Sequence, residues 1–290
     1  MTVGNPARNP VVWGWDQIKS ALVGMEAAHH RPAAPSVAVP QIRRIGASDL
    51  RAALAGGIAD FRADPTHYVV LCALYPVLGL VLARLASGVH AVPLIFPLVA
   101  GFSLLGPFAA VGLYELSRRR EAGAEIAWWH AFDVIDSPAF GGILKLGLLL
   151  AGLFVLWLVA AEGIFLLTVG PLAPASLAAL LHAVLFTWRG WILLAVGNGV
   201  GFLFAVAALV LGVVSFPMMV DRAVSVELAM QTSLRAVRAN KRAMAGWGLI
   251  VAVGLVLGSV PFLLGLAVVI PVLGHATWHL YRRLVAFEPG

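Results

Sequence analysis

The stretch that decides the fold is Gly106–Gly123, GPFAAVGLYELSRRREAG. An apolar run with a proline near its start closes on three consecutive arginines and then a glycine. This is how a membrane helix ends on the side of the bilayer that keeps its positive charge. A weaker copy, PVLGHATWHLYRR, stands at Pro271–Arg283. In both copies the proline precedes the first arginine by 11 residues. In that register Tyr114 matches Trp278, Glu115 matches His279, Leu116 matches Leu280 and Arg119 matches Arg283.

Composition sets the solvent. The chain has 290 residues, 61% hydrophobic and 12% charged, with a mean hydropathy of +0.93. Soluble domains carry about 25% charged residues, so most of this surface must face lipid. The net charge of +6 is no nucleic-acid signal, because the cations sit beside apolar runs. The lone cysteine, Cys72, allows no internal disulfide and no CxxC site. No apolar signal segment is seen in residues 1–45, so the first membrane helix is expected to act as its own insertion signal.

Reading outward, residues 1–45 form a polar, proline-containing N-terminal segment and 46–290 a membrane domain. Within the tail, residues 11–26 have the spacing of a short amphipathic helix. Apolar runs long enough for about 30 Å of hydrocarbon fall at about 67–86, 92–116, 140–169, 190–220, 244–260 and 262–281. The second carries Pro93, Pro97 and Pro107 and is expected to kink inside a bundle. The fold class is therefore all-α: a polytopic membrane protein whose six transmembrane helices form three hairpins. Each hairpin is preceded by an amphipathic cytoplasmic interfacial helix, the three beginning near Ser48, Ile126 and Ser225. In the first, Ser48 is the expected N-cap. Leu50, Leu54, Ile58 and Phe61 form its apolar face, with Arg51, Asp60 and Arg62 off it. This recurrence is read as an internal repeat, in a pseudo-threefold or sequential arrangement.

Orientation follows from charge. Of 20 Lys and Arg, 17 fall on one side of this arrangement and only Arg84 and Arg189 on the other. The positive-inside rule places both termini in the cytoplasm. Arg118, Arg119, Arg120, Arg235, Arg238, Lys241, Arg242, Arg282 and Arg283 are expected to anchor topology or contact anionic lipid headgroups.

IRRIGASDLRAALAGGIADFRADP, LLGPFAAVGLYELSRRREAG, WWHAFDVIDSP and PVLGHATWHLYRR together resemble an uncharacterised bacterial integral-membrane family, domain of unknown function 2189. The resemblance covers about residues 42–284. It implies a polytopic inner-membrane protein and transfers no catalytic residues. Members of that family are sometimes compared with cytochrome oxidase subunit I. Such a subunit needs histidine ligands on several helices, and here only His275 and His279 lie well within an expected span.

Those two histidines share a helix face at i,i+4. With Glu115, Glu162 and Asn198 they are the candidate intramembrane polar contacts, since polar groups in lipid are costly and turn toward a bundle interior. The register predicts a Glu115–His279 contact at the cytoplasmic helix ends, and Glu162 is expected to face Asn198 in the outer half. No HExxH, Walker A, GxGxxG or GxSxG pattern occurs, so no catalytic residue, metal or cofactor is assigned. The expected function is a non-enzymatic accessory or scaffold protein of another membrane complex, with a small transporter or lipid-handling protein as the alternative. A continuous polar path through Glu115, His279, Asn198 and Glu162 would favour transport.

Overall fold

The computed structural model describes residues 39–63, 95–170, 177–260 and 264–287. The expected helix at 11–26 and the expected span at 67–86, with Cys72, lie outside the described residues. The described chain is mostly helical. In order it runs β1 (Pro40–Ile42), α1 (Ala47–Ala63), α2 (Ile95–Phe102), α3 (Gly106–Ala109), α4 (Val111–Glu121), a 3-10 helix (Trp128–Asp136) and α5 (Phe140–Thr168). Then follow α6 (Leu177–Phe186), α7 (Trp188–Gly212), α8 (Ser215–Asp221), α9 (Val226–Ala239), α10 (Lys241–Ser259), α11 (Leu266–Leu284) and β2 (Val285–Phe287).

Among the described residues, four helical stretches are long and apolar enough to cross a membrane: Phe96–Glu121, Phe140–Thr168, Trp188–Asp221 and Lys241–Ser259. Their flanks expose large apolar side chains such as Leu156, Val159, Phe202, Leu203 and Leu257, as expected when lipid is the solvent. The expected sixth span is a helix, α11, but it is not among the four. Its second half carries His275, His279, Arg282 and Arg283, and much of that half is buried against protein.

Prolines break two of the stretches. The first passes through a 3-10 turn at Ser103–Leu105 and restarts with Pro107 in the first turn of α3, where a missing N–H costs nothing. The third breaks between α7 and α8, because Pro217 has no N–H to offer the carbonyl four residues back. Ser233 of α9 bridges the adjacent turn: its hydroxyl donates to the Val210 carbonyl at 2.6 Å and accepts from the Val214 amide at 3.4 Å. The SRRREAG ending is also explained. Gly123 takes φ +67°, and the Gly123 and Ala124 amides bond the Arg120 and Arg119 carbonyls, which is a Schellman stop.

Three expectations about the surface segments are corrected. Helix α1 begins at Ala47, and Asp49 reaches back to the Gly46 amide at 3.0 Å, so Gly46 rather than Ser48 stands at the cap. Its buried face is Leu50, Ala53, Gly57 and Asp60, one position round from the Leu50–Leu54–Ile58–Phe61 face. The reason is the partner. Helix α1 packs along α11, and small residues allow the close approach while the bulky ones flank it. A Cβ on Gly57 would lie 2.5 Å from the Ala276 amide nitrogen. The segment after α4 is a 3-10 helix rather than an α-helix. It buries Ala131 and Val134 and leaves Trp128, Trp129, Phe132 and Ile135 exposed.

The packing has a cyclic order. The 3-10 helix lies on α4, which precedes it, and α9 lies on α7 and α8, which precede it. Helix α1 has no described helix before it and lies on α11, the last. The ends α4, α8 and α11 also pack on one another. Around this junction sit fully buried Tyr114, Phe216, Trp278 and Tyr281. Strands β1 and β2 pair antiparallel, Ile42 opposite Val285, a feature the sequence reading did not contain.

Gly57→Ala is expected to cost about 1–3 kcal/mol by overpacking this seam, lowering the unfolding midpoint in detergent. Gly248→Ala, with nothing within 4 Å of the new carbon, is expected to be neutral or slightly stabilising. Equal midpoints for the two variants would contradict the close α1–α11 approach.

Candidate functional site

The structure gathers its buried polar side chains where α1, α4 and α11 meet. Asp60 of α1 is 6% exposed and His275 of α11 is fully buried. Helical spacing presents both histidines to Asp60, because positions four apart share a face. Asp60 Oδ2 accepts from the Ser117 hydroxyl at 2.7 Å and from His279 Nε2 at 3.0 Å. Ser117 Oγ also lies 2.7 Å from His275 Nδ1.

Proton positions follow from the donors available. A carboxylate only accepts, and a serine hydroxyl has one proton. The Ser117 proton therefore goes to Asp60, His275 donates from Nδ1 to Ser117, and His279 donates from Nε2 to Asp60. Arg120 Nε stands 3.8 Å from the other Asp60 oxygen. Burial alone would raise the Asp60 carboxyl. The hydrogen bonds from His279 and Ser117, with the charge of both rings, outweigh it and hold Asp60 below the ordinary carboxylate range.

A second node joins the three helix ends. Arg282 of α11 contacts Glu121 of α4 at 2.9 Å and Asp221 of α8 at 3.4 Å. Trp278 donates its indole N–H to Glu121 at 3.0 Å, and Tyr281 its hydroxyl to Asp221 at 2.8 Å. Around the rim, Arg119 pairs with Asp133 of the 3-10 helix, and Arg283 with Asp49 of α1 at 3.2 Å. Arg119 and Arg283 are the matched positions of the two repeated endings. Their neighbours match as well: Gly112 of α4 approaches Ala131 as Ala276 of α11 approaches Gly57.

The expected residues are thus brought together only in part. His275 and His279 share one cluster, but the predicted Glu115–His279 contact is replaced. Glu115 is held by Arg118 at 2.7 and 2.8 Å and by Arg119 at 3.1 Å, while His279 bonds Asp60. Asn198 does not face Glu162. It is exposed and bonds its own helix at the Leu194 carbonyl. Glu162 has no hydrogen bond or ion pair among the described residues. Sequence reasoning missed Asp60, Ser117, Glu121, Asp221 and Tyr281. The available signal was the Leu50–Ala53–Gly57–Asp60 spacing, which puts an acid on a stripe of small residues.

Chemically the cluster is a lock. Ser117 gives its proton to a carboxylate and accepts from a ring N–H, so it is not poised as a nucleophile. Among the described residues no group of three His, Cys, Asp or Glu is placed to hold a metal ion. A shallow cleft of about 280 Å³ opens beside the lock, lined by Glu115, Arg118, Arg119, Asp133, Asp136 and Ser137 among others. Glu115, Arg118, Arg119 and Asp133 in its lining already pair with one another.

Part of this arrangement matches a known family model. Residues 95–221 match the model of DUF2189, described as a predicted integral membrane protein. That region supplies Glu115, Ser117, Arg118–Arg120, Glu121 and Asp221. Asp60, His275 and His279 lie outside it, so the match spans one side of the lock and less of the chain than the resemblance implied. No curated protein and no solved structure matches the chain.

Asp60→Asn keeps the shape and removes the charge. It is expected to cost about 3–5 kcal/mol, the usual loss when a buried pair is broken. Because the folded Asp60 is depressed, its contribution is present above the ordinary carboxylate value of about 4 and is lost as pH falls through the folded value. The stability gap between wild type and Asp60→Asn should therefore be flat from about pH 5 upward and shrink below about 4. A gap that grows on acidification would refute the assignment.

Proposed function

We propose that this is a six-span bacterial inner-membrane protein with both termini cytoplasmic, and that it acts as a non-enzymatic accessory or scaffold subunit of a larger membrane complex. The observation that carries the reading is how the polar groups are used. Asp60, Glu115, Ser117, Glu121, Asp221, His275 and His279 are engaged in bonds between or within helix ends at one side of the bundle. They build a rigid face and line no path along the spans. Of the four residues whose connection would favour transport, Glu115, His279 and Asn198 bond three different partners.

In this reading the protein is a threefold repeat of one unit, a surface segment followed by a hairpin. Three observations support it. Each described surface segment lies on the end helix preceding it in a closed order. The matched residues Arg119 and Arg283 make matched ion pairs. The matched positions 112 and 276 make matched close approaches. The cytoplasmic assignment rests on the charge count.

Two measurements test this. A reporter fused after Gly123 is expected to read as cytoplasmic, and an external readout would invert the topology. Purified from native membranes in mild detergent, the protein is expected to bring a second membrane subunit in fixed stoichiometry. Elution alone would overturn the scaffold reading, and solute exchange by the reconstituted chain would favour transport.

A further inference from the structure

The structure separates the basic clusters by what their charges meet. Arg118, Arg119 and Arg120, and likewise Arg282 and Arg283, have protein carboxylates beside them. The cations of α9 and α10 do not. Arg235, Arg238, Lys241 and Arg242 are exposed, and among the described residues none is ion-paired. Arg235 reaches only the Thr232 hydroxyl, at 3.4 Å.

The same place gains two arginines from the far end of the sequence. Asn240 lies between α9 and α10 and is 5% exposed. Its Oδ1 accepts from the Ile45 amide at 2.9 Å, and its Nδ2 donates to the Arg43 carbonyl at 3.0 Å and the Ala236 carbonyl at 3.1 Å. This clamp fixes the Arg43–Arg44 backbone next to Lys241 and Arg242, and both arginines are exposed. Residues 39–46 and α10 contain no acid, and the one acid of α9, Glu227, lies in its opposite, first turn. Six positive charges therefore share one surface with nothing of the described protein to neutralise them.

What lies below the patch identifies its partner. Helix α10 starts at Lys241 and continues as a candidate span. From Arg242 an exposed stripe runs through Ala245, Leu249, Val253, Val256 and Val260, at the three-to-four spacing of one helix side. Cations at the head of an exposed apolar stripe match a phospholipid, phosphate above and acyl chains below. A nucleic acid or an acidic soluble protein would match the charge but leave the stripe unexplained.

We propose that Arg43, Arg44, Arg235, Arg238, Lys241 and Arg242 form a binding site for anionic phospholipid headgroups, with the acyl chains on the exposed face of α10. Asn240 is the positioning residue that joins the two halves of the site.

The test uses the full-length protein in nanodiscs of zwitterionic lipid, with and without a minor fraction of phosphatidylglycerol, and counts retained lipid by native mass spectrometry. Arg43→Gln/Lys241→Gln is compared with Arg51→Gln/Arg62→Gln, which removes the same charge from exposed α1 positions. The wild type should retain phosphatidylglycerol over the zwitterionic lipid. The patch variant should lose that preference by about tenfold or more, and the α1 variant should keep it. Asn240→Ala, which leaves all six cations, should weaken it as well, with folding checked by the unfolding midpoint in zwitterionic discs. Equal losses in the two charge variants, or no preference in the wild type, would overturn the proposal. Competition by millimolar glycerol phosphate equal to that by the lipid would reassign the site to free phosphate esters.

Discussion

The buried carboxylate of Asp60 is the constraint around which the polar end is arranged. An ionised acid away from water must be met by donors, and here they come from two other helices. Ser117 arrives on α4 and His279 on α11, with Arg120 and His275 beside them. Each donor fixes the rotation of its own helix, because a turn of one residue would take it out of reach. The charge therefore specifies register as well as position. The apolar seam could tolerate sliding, since small residues fit many offsets. A single acid facing four polar side chains cannot.

The apolar part of the architecture was legible because it depends only on length and hydropathy. The spans near 140–169 and 190–220 agree with α5 and with α7–α8 to within a few residues, and Pro107 and Pro217 mark the breaks. The surface segments were less legible. A helix written with Leu54, Ile58 and Phe61 on one side looks suited to lying on lipid, but α1 lies on another helix. What decides between the two is the partner, Ala276, which is 219 residues beyond Gly57 in the chain and invisible to periodicity. The β1–β2 pair was missed for a related reason. Three residues at each end give no alternating pattern to read, and the pairing exists only because the bundle brings the ends together.

The polar contacts show the same division. The two similar endings lie on α4 and α11, which the structure packs together. The register could not say which polar side chains would bond. Glu115 has Arg118 and Arg119 within one turn of its own helix, and those local partners win over a distant histidine. His279 is then left for an acid on a third element. Glu121 and Asp221 looked like ordinary helix-end charges, and their role appears only when three ends converge on Arg282.

The long separation between Asp60 and its partners has a consequence for the order of assembly. Chains are made from the N-terminus, so α1 exists long before α11 emerges. Until then its small-residue stripe and its acid lack the helix that buries them, although α10 already offers Leu50 a contact. Each later described surface segment can settle on a helix already present, but α1 must wait for α11. The arrival of α11 is therefore what closes the seam along α1. A product stopped before α11 would lack the helix that meets both Asp60 and Gly57.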